Sequence, residues 1–216
     1  MALEQLLKIA VPALPLATLQ YDRPYQDQLN NVQRLFYTRF VNAFNQITGP
    51  LGGQYIDCPN GLFFNTGEQL FAATNTMYPV VFDATYLHNA VQLQAGSTSK
   101  IEVTVGGVYN FQYTGQVLSD SSSAKTIYLW IARNGVDIGY STRGKTVSSN
   151  NHLTDVAWGF DIDLDVGDYI ELRASVTDTS LHLHAEPASA PHPGIPSGVM
   201  TVNFIAPLPN PRPTPP

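Results

Sequence analysis

The sequence predicts an all-β fold, a jelly-roll sandwich of about ten strands, preceded by an apolar arm and one amphipathic helix. Between residues 50 and 206, short apolar segments are separated by turns rich in Gly, Asn, Asp and Ser. Within these segments side chains alternate with period two, which is typical of strands with one buried face. Helical spacing occurs between residues 21 and 49, and residues 207–216 include six prolines. We therefore divide the chain into an extended arm (1–20), a helix (21–49), a jelly roll (50–206) and a Pro-rich tail (207–216).

The stretch Ile101–Leu118 is the centre of the predicted sandwich. Its first five residues alternate between apolar and polar, and Gly106-Gly107 has the composition of a two-residue hairpin turn. Alternation resumes after the turn and places three aromatic residues on one face: Tyr109, Phe111 and Tyr113. We expect this aromatic face to lie at the centre of the core.

The later strands follow the same pattern. Thr126–Arg133 is apolar on both faces, so we expect it in the middle of a sheet, and Asn134-Gly135 is the clearest hairpin signal in the chain. Thr154–Leu164 places Val156, Trp158 and Phe160 on one face, and Lys145–Asn151 is predicted to be a polar loop. Further strands are predicted at Gln54–Asp57, Gly61–Asn65, Gln69–Ala72, Met77–Phe82, Val136–Thr142, Tyr169–Val176, Leu181–Ala185 and Val199–Ile205, with a loop and a short strand over Asp83–Gln94.

Composition excludes several classes of function. Only 13% of the residues are charged, about half the usual share, and the net charge of −6 argues against nucleic acid as a partner. The single cysteine, Cys58, cannot form an intrachain disulfide. The N-terminus lacks the basic start of a signal peptide, and no run approaches the roughly 20 apolar residues of a membrane span. Stability must therefore come from packing or from oligomerisation.

The first fifty residues contain two apolar features, an extended arm and an amphipathic helix. Prolines keep the arm extended, and its apolar side chains predict that it docks on a partner or packs on its own domain: Leu3, Leu6, Leu7, Ile9, Val11, Leu14, Leu16 and Leu19. A helix is predicted from Asp22, a good N-cap, to Ile47. Its apolar stripe recurs at gaps of three and four residues: Leu29, Val32, Phe36, Phe40, Phe44 and Ile47. This stripe predicts that the helix lies on the domain or pairs with copies of itself, for example in a short three-helix cluster.

Three motifs and a terminal apolar strand resemble the tumour-necrosis-factor/complement globular-head jelly roll over roughly residues 54–205. They are G-G-V-Y-N-F-Q-Y (Gly106–Tyr113), A-R-N-G-V (Ala132–Val136) and L-D-V-G-D-Y-I-E-L (Leu164–Leu172), in that order. The N-terminal part, Tyr21–Tyr37 with Gly52–Ile56, and the later run Pro191–Val202 are similar to structural proteins of tailed bacteriophages, especially marine and cyanobacterial ones. These resemblances imply a homotrimer around a threefold axis, on the surface of a virion.

Two groups of side chains could hold a metal ion. Four carboxylates lie close together in the sequence and would suit Ca²⁺: Asp161, Asp163, Asp165 and Asp168. The alternative places the first two on the solvent face of a strand and the last two in a turn. His182 and His184 share one face of a strand, so a trimer would bring imidazoles together for a transition metal; the alternative is that leucine alternates inward and histidine outward. We favour the alternative in both cases and predict no metal and no cofactor.

No constellation of catalytic residues stands out, so we predict that the protein is not an enzyme. Trp130 and Trp158 could bind sugars, but their apolar surroundings favour the core. The resemblance suggests a trimeric capsid decoration or cement protein, or a head fibre, bound to other virion proteins through the arm and helix. The alternative is a tail-fibre or receptor-binding head that attaches to a host surface glycan or protein. Neither function involves nucleic acid or a membrane.

Overall fold

The computed structural model describes residues 12–14, 20–48 and 58–208, and the backbone alone at Gln46 and Thr48. The chain forms two compact units, one up to Asp57 and one from Cys58 onward. Several predictions lie outside the described residues: the strand at Gln54–Asp57, most of the arm and the end of the Pro-rich tail.

The first unit contains one long helix. Helix α1 spans Arg23–Thr48 and confirms the helix predicted from Asp22 to Ile47. The backbone N–H of Gln26 donates to the carbonyl of Asp22 at 3.1 Å, which closes the first turn. Pro24 lies in that turn, where its missing N–H has no partner to lose. No described helix is both long and apolar enough to cross a membrane.

The second unit consists of two antiparallel sheets. Sheet I contains β1 (Asn60–Asn65), β2 (Gln69–Leu70), β4 (Ala84–Asn89), β7 (Gly107–Ser119), β11 (His152–Leu164), β13 (Leu181–Leu183) and β14 (Gly198–Ala206). Sheet II contains β3 (Tyr78–Pro79), β5 (Val91–Leu93), β6 (Lys100–Val103), β8 (Lys125–Arg133), β9 (Val136–Asp137), β10 (Arg143–Val147) and β12 (Tyr169–Val176).

Strand β7 organises sheet I. One edge of β7 pairs with β11 along its whole length, and the other edge pairs with β14 and β13. β1 and β4 extend the sheet from β14, and β2 extends it from β13. Sheet II has the order β10-β8-β12-β6-β5, which places β8 between two neighbours as its apolar faces predict. Successive long strands cross between the sheets, from β6 to β7 to β8 and from β10 to β11 to β12, so the fold is the predicted jelly-roll sandwich.

The core lies between the inner faces of the two sheets. Tyr109, Phe111 and Tyr113 are at most 1% exposed, which confirms the predicted aromatic face of β7. The register of β11 sets Trp158 beside Tyr113 and Phe160 beside Phe111. Trp158 and Phe160 therefore share one face of β11, as predicted, and this face continues the aromatic face of β7. The rings of Phe111 and Phe160 stack with their centroids 5.2 Å apart.

The hairpin predicted at Ile101–Leu118 is wrong. β6 ends in sheet II and β7 begins in sheet I, so the connection crosses the sandwich instead of folding one strand back on the other. Neither Gly106 nor Gly107 has the positive φ that a two-residue hairpin turn requires. Gly107 supplies space instead, because a Cβ at this position would overlap the ring of Phe204.

Two predicted loops are strands. The predicted polar loop over Lys145–Asn151 overlaps β10, which pairs with β8. The predicted loop and short strand over Asp83–Gln94 instead form β4 and β5, separated at Ala90, whose φ is 54°. The turn at Asn134-Gly135 is confirmed: both residues have positive φ, and Arg133 pairs with Val136.

Candidate functional site

Helix α1 presents an aromatic ridge, formed by Phe36, Phe40 and Phe44. Successive rings of the ridge stack at centroid distances of 6.4 and 6.3 Å, since residues four apart lie one above the other on a helix. Phe40 is 49% exposed and Phe44 is 56% exposed. The rest of the predicted stripe, Leu29, Val32 and Ile47, is half-buried or exposed. A ridge of this kind can associate with an apolar partner, and its role in a trimer interface stays a prediction.

The predicted anchoring residues of the arm fall almost entirely outside the described part of the chain. Leu14 is the described member of the set, and its side chain is 53% exposed. Anchoring through Leu3, Leu6, Leu7, Ile9, Val11, Leu16 and Leu19 stays a prediction.

An apolar groove of about 520 Å³ crosses the outer face of sheet I. Its floor is formed by Leu62 and Phe64 of β1 and Val199 of β14, and one wall is the loop at residues 186–196. Paired backbone hydrogen bonds between Glu186 and Ile195, at 2.9 and 2.8 Å, hold this loop in shape. Tyr86 of β4 also lines the groove and is 75% exposed. Our sequence analysis missed this site. The run Leu62-Phe63-Phe64 could have signalled it, because three successive apolar residues break the alternation expected of a strand with one solvent-exposed face.

The second feature of the outer face of sheet I is a cluster of two histidines and three carboxylates. His182 and His184 lie on and just after β13, and their rings are 5.7 Å apart, so they share a face as predicted. Leu181 and Leu183 face the core and the two histidines face outward, as the favoured alternative held, although His182 is covered there and only 5% exposed. Glu68 lies between the two rings: its Oε1 is 3.9 Å from His182 Nε2 and 2.9 Å from His184 Nδ1.

Each histidine also faces a second carboxylate. His182 Nδ1 is 3.6 Å from Asp120 Oδ2, and His184 Nε2 is 3.3 Å from Glu186 Oε1. Sequence reasoning found the two histidines, because the period of a strand links them, but not their acidic partners. Glu68 is 116 residues from His184, and no local pattern signals that distance.

The other predicted metal candidates, Asp163 and Asp165, lie at the far end of sheet I. Asp163 pairs with Val108, whereas His182 pairs with Leu118, ten residues along β7 and therefore on the order of 30 Å away. Asp163 lies 3.6 Å from Arg133 Nη1. The backbone N–H of Asp165 donates to Asp168 at 2.9 Å, within the predicted turn.

The four acidic residues lie where the favoured alternative placed them, with Asp161 and Asp163 on β11 and Asp165 and Asp168 in the turn after it. Asp161 accepts a hydrogen bond from the amide of Asn110 at 2.6 Å, and Asp168 accepts one from Asn134 at 2.7 Å. Among the described residues, Glu68, His182 and His184 form the one group of three metal-ligating side chains close enough to share an ion.

Trp130 is not in the core, which corrects the prediction. Its ring lies half-buried on the outer face of sheet II, and its Nε1–H donates to Asp137 at 2.8 Å. Arg173 binds the same carboxylate at 2.8 Å and Glu171 at 2.9 Å. Burial lowers the pKa of Arg173, but the hydrogen bonds that Arg173 donates to Glu171 and Asp137 outweigh burial and raise the pKa overall. The network therefore connects β8, β9 and β12 through polar and charged side chains.

Comparison with known proteins leaves the function open. No family model and no curated protein matches this chain. Among solved structures, the chain is similar to the globular domain of the zebrafish complement 1qA protein, at 14% sequence identity and a TM-score of 0.43. The match covers 68% of this chain and 97% of that one. A likeness at this level carries no functional argument, and the jelly-roll assignment follows from the sheet order of the chain itself.

Proposed function

We propose that the chain is a non-enzymatic structural protein of a virion surface, a homotrimeric capsid decoration or head fibre attached through its N-terminal arm and helix. The exposed aromatic ridge of α1 carries the proposal of self-association. The bacteriophage-like residues between Tyr21 and Tyr37 support the virion setting, and that part of the proposal rests on the sequence resemblance.

The ridge favours association because water contacts about half of two of its rings. Full burial of a Phe side chain contributes about 1.5–3 kcal/mol, so covering the exposed half of Phe40 and of Phe44 is worth about 1 kcal/mol each per chain. Three copies of α1 would bury their ridges against one another in a short cluster. The outer faces of β7 and β14 could add contact area, since their side chains in the middle of sheet I are uncharged: Asn110, Gln112, Thr114, Thr201 and Asn203. The neighbouring strand β11 adds one charge there, Asp161, which accepts a hydrogen bond from Asn110.

Light scattering on the purified protein tests the self-association. We expect a trimer at micromolar concentration, and a monomer when Phe40→Asp and Phe44→Asp are combined, because buried carboxylates would oppose the cluster. Asn45→Asp adds a charge on the opposite side of α1 and should leave the trimer intact. A monomeric native protein, or a double variant that stays trimeric, would show that the ridge does not assemble the protein.

The groove on sheet I favours a second candidate function, a receptor-binding head on a tail fibre. Aromatic and apolar side chains around a shallow groove can stack against the apolar faces of a sugar or hold a short peptide. In this case Tyr86→Ala should weaken binding to host cells or to a glycan array by about tenfold, whereas Tyr140→Ala, in a fully exposed tyrosine outside the groove, should not. Equal binding by native protein and Tyr86→Ala would leave the groove without this role.

A further inference from the structure

We propose that Glu68, His182 and His184 bind a divalent transition-metal ion of the zinc class. The site is independent of the proposed virion function, and it is complete within one chain. It therefore differs from the arrangement considered from the sequence, in which histidines of three copies would meet on a threefold axis.

The spacing of the ligand atoms matches a small, nitrogen-rich site. Glu68, His182 and His184 each offer one ligand atom, and these three atoms all lie within 4.8 Å of one another. In a tetrahedral zinc site with bonds of about 2.0–2.1 Å, the ligand atoms are about 3.4 Å apart. The two separations from Glu68 Oε1, 3.9 and 2.9 Å, lie on either side of that value, so small side-chain rotations would close the site.

The number of N–H groups on the two histidines favours a bound cation at this position. Each imidazole has a carboxylate near both of its nitrogens, yet a neutral imidazole carries a single N–H. If a metal occupies the nitrogen that faces Glu68, the remaining N–H of His182 points to Asp120 and that of His184 points to Glu186. Metal-bound histidines in proteins commonly donate their second N–H to a carboxylate, which fixes the ring and strengthens the ligand.

The backbone around the ligands is fixed before any ion binds. Glu68 lies between two anchored residues: Thr66, which bonds to Asp83 at 2.8 and 2.6 Å, and Gln69, which bonds to the backbone of Val81 at 2.8 and 3.2 Å. The backbone N–H of His184 donates to Gln116 at 2.9 Å, and His182 pairs with both β2 and β7. Glu68 is 44% exposed at its side chain, so an ion can enter from solvent.

The chemistry of the donors selects the ion. Two imidazole nitrogens and one carboxylate suit Zn²⁺ and its neighbours, whereas Ca²⁺ takes six or more oxygen ligands. An ion bound here would connect the turn before β2 to β13. β2 and β13 pair over only two residue positions, so we expect the ion to stabilise this part of sheet I.

Titration of the metal-stripped, tag-free protein with Zn²⁺ tests the proposal, with Co²⁺ as a spectroscopic probe of tetrahedral nitrogen coordination. We expect one ion per chain and a higher melting temperature with Zn²⁺ than with Ca²⁺. Glu68→Gln and His184→Gln should each weaken binding by at least tenfold, and Glu186→Gln, which touches only the outer ring nitrogen, by about tenfold. His88→Gln, an exposed histidine of β4, is the control and should bind as the native chain does.

Circular dichroism of each variant separates loss of ligand from loss of fold. The proposal is overturned if the native protein does not bind Zn²⁺, or if folded Glu68→Gln and His184→Gln bind it as tightly as the native chain. If the native chain does not bind Zn²⁺, but its melting temperature changes with pH and with substitution of His184, the cluster is a set of hydrogen-bonded ion pairs and not a metal site.

Discussion

Tyr113 shows at the scale of one residue how tightly the core is specified. Its side chain is 1% exposed, and its hydroxyl has no hydrogen-bond partner among the described residues. The hydroxyl fits where two glycines leave room: a Cβ at Gly198 would be 2.8 Å from it, and a Cβ at Gly115 would overlap it. Burial also raises the pKa of Tyr113, so its hydroxyl stays neutral at any pH at which the protein is handled.

We therefore expect substitutions at Gly115 and at Tyr113 to change the free energy of unfolding in different directions. Gly115→Ala should lower the free energy of unfolding by about 1–3 kcal/mol, because the added methyl displaces the Tyr113 ring. Tyr113→Phe removes an unpaired buried hydroxyl and should be neutral or stabilising by about 1 kcal/mol. The double variant should recover part of the loss, because removal of the Tyr113 hydroxyl relieves the closest of the contacts that the methyl makes. Urea unfolding measures all three.

Gly139→Ala is the matched control for this prediction, since a Cβ there would meet nothing within 4 Å. A Gly115→Ala variant as stable as this control would mean that Tyr113 can move aside freely. A marked loss of stability in Tyr113→Phe would instead mean that the hydroxyl has a partner, such as an ordered water.

Single-residue predictions from sequence succeed where the signal is the period of a strand. The shared faces of Tyr109, Phe111 and Tyr113 follow from a side-chain period of two, whichever strands lie beside them. The same argument places His182 and His184 together. It fails for Glu68 and Asp120, because contacts between strands depend on which strands become neighbours in the sheet. Single-sequence periodicity carries no information about those neighbours.

At the scale of elements, two turns of similar composition illustrate the same limit. Asn134-Gly135 forms a hairpin because both residues adopt positive φ, a property of the turn itself. Gly106-Gly107 offers the same freedom, yet its flanking strands pair with other strands and not with each other. β6 pairs with β12 and β5, and β7 pairs with β11, β13 and β14. The pairing of distant strands therefore overrides a local turn signal.

The strands that sequence analysis missed have little buried surface. β10 buries one of its five residues, Val147, and none of the six residues of β4 is fully buried. Their identity as strands comes from backbone pairing to a neighbour, β8 for β10 and β1 for β4. An element held mainly by backbone hydrogen bonds leaves a weak hydrophobic pattern, so composition alone assigns it to a loop.

At the scale of the whole molecule, the chain divides its apolar surface between two uses. All members of the core cluster among the described residues lie between Phe63 and Val202, so the sandwich has an interior of its own. The large apolar side chains of α1 are instead half-buried or exposed, and those of the arm precede the helix in sequence. In the proposed function, we therefore infer that the arm and α1 bind other virion proteins and other copies of the chain, and that the jelly roll faces away from the virion.

Deleting Met1–Gln20 tests whether the arm is needed for attachment but not for folding. The deletion keeps α1 and every residue of the core cluster, so we expect a β-rich trimer whose melting temperature is close to that of the full chain. It removes eight large apolar side chains within nineteen residues, which would otherwise cover the surface of a neighbouring virion protein. We therefore expect the truncated protein to lose binding to particles that lack the native copy, as measured by co-sedimentation. Replacing Leu3, Leu6 and Leu7 with Ser in the full chain should weaken binding in the same direction. If the truncated trimer still decorated the particles, the attachment surface would have to lie on the jelly roll or on α1, and the arm would need another role.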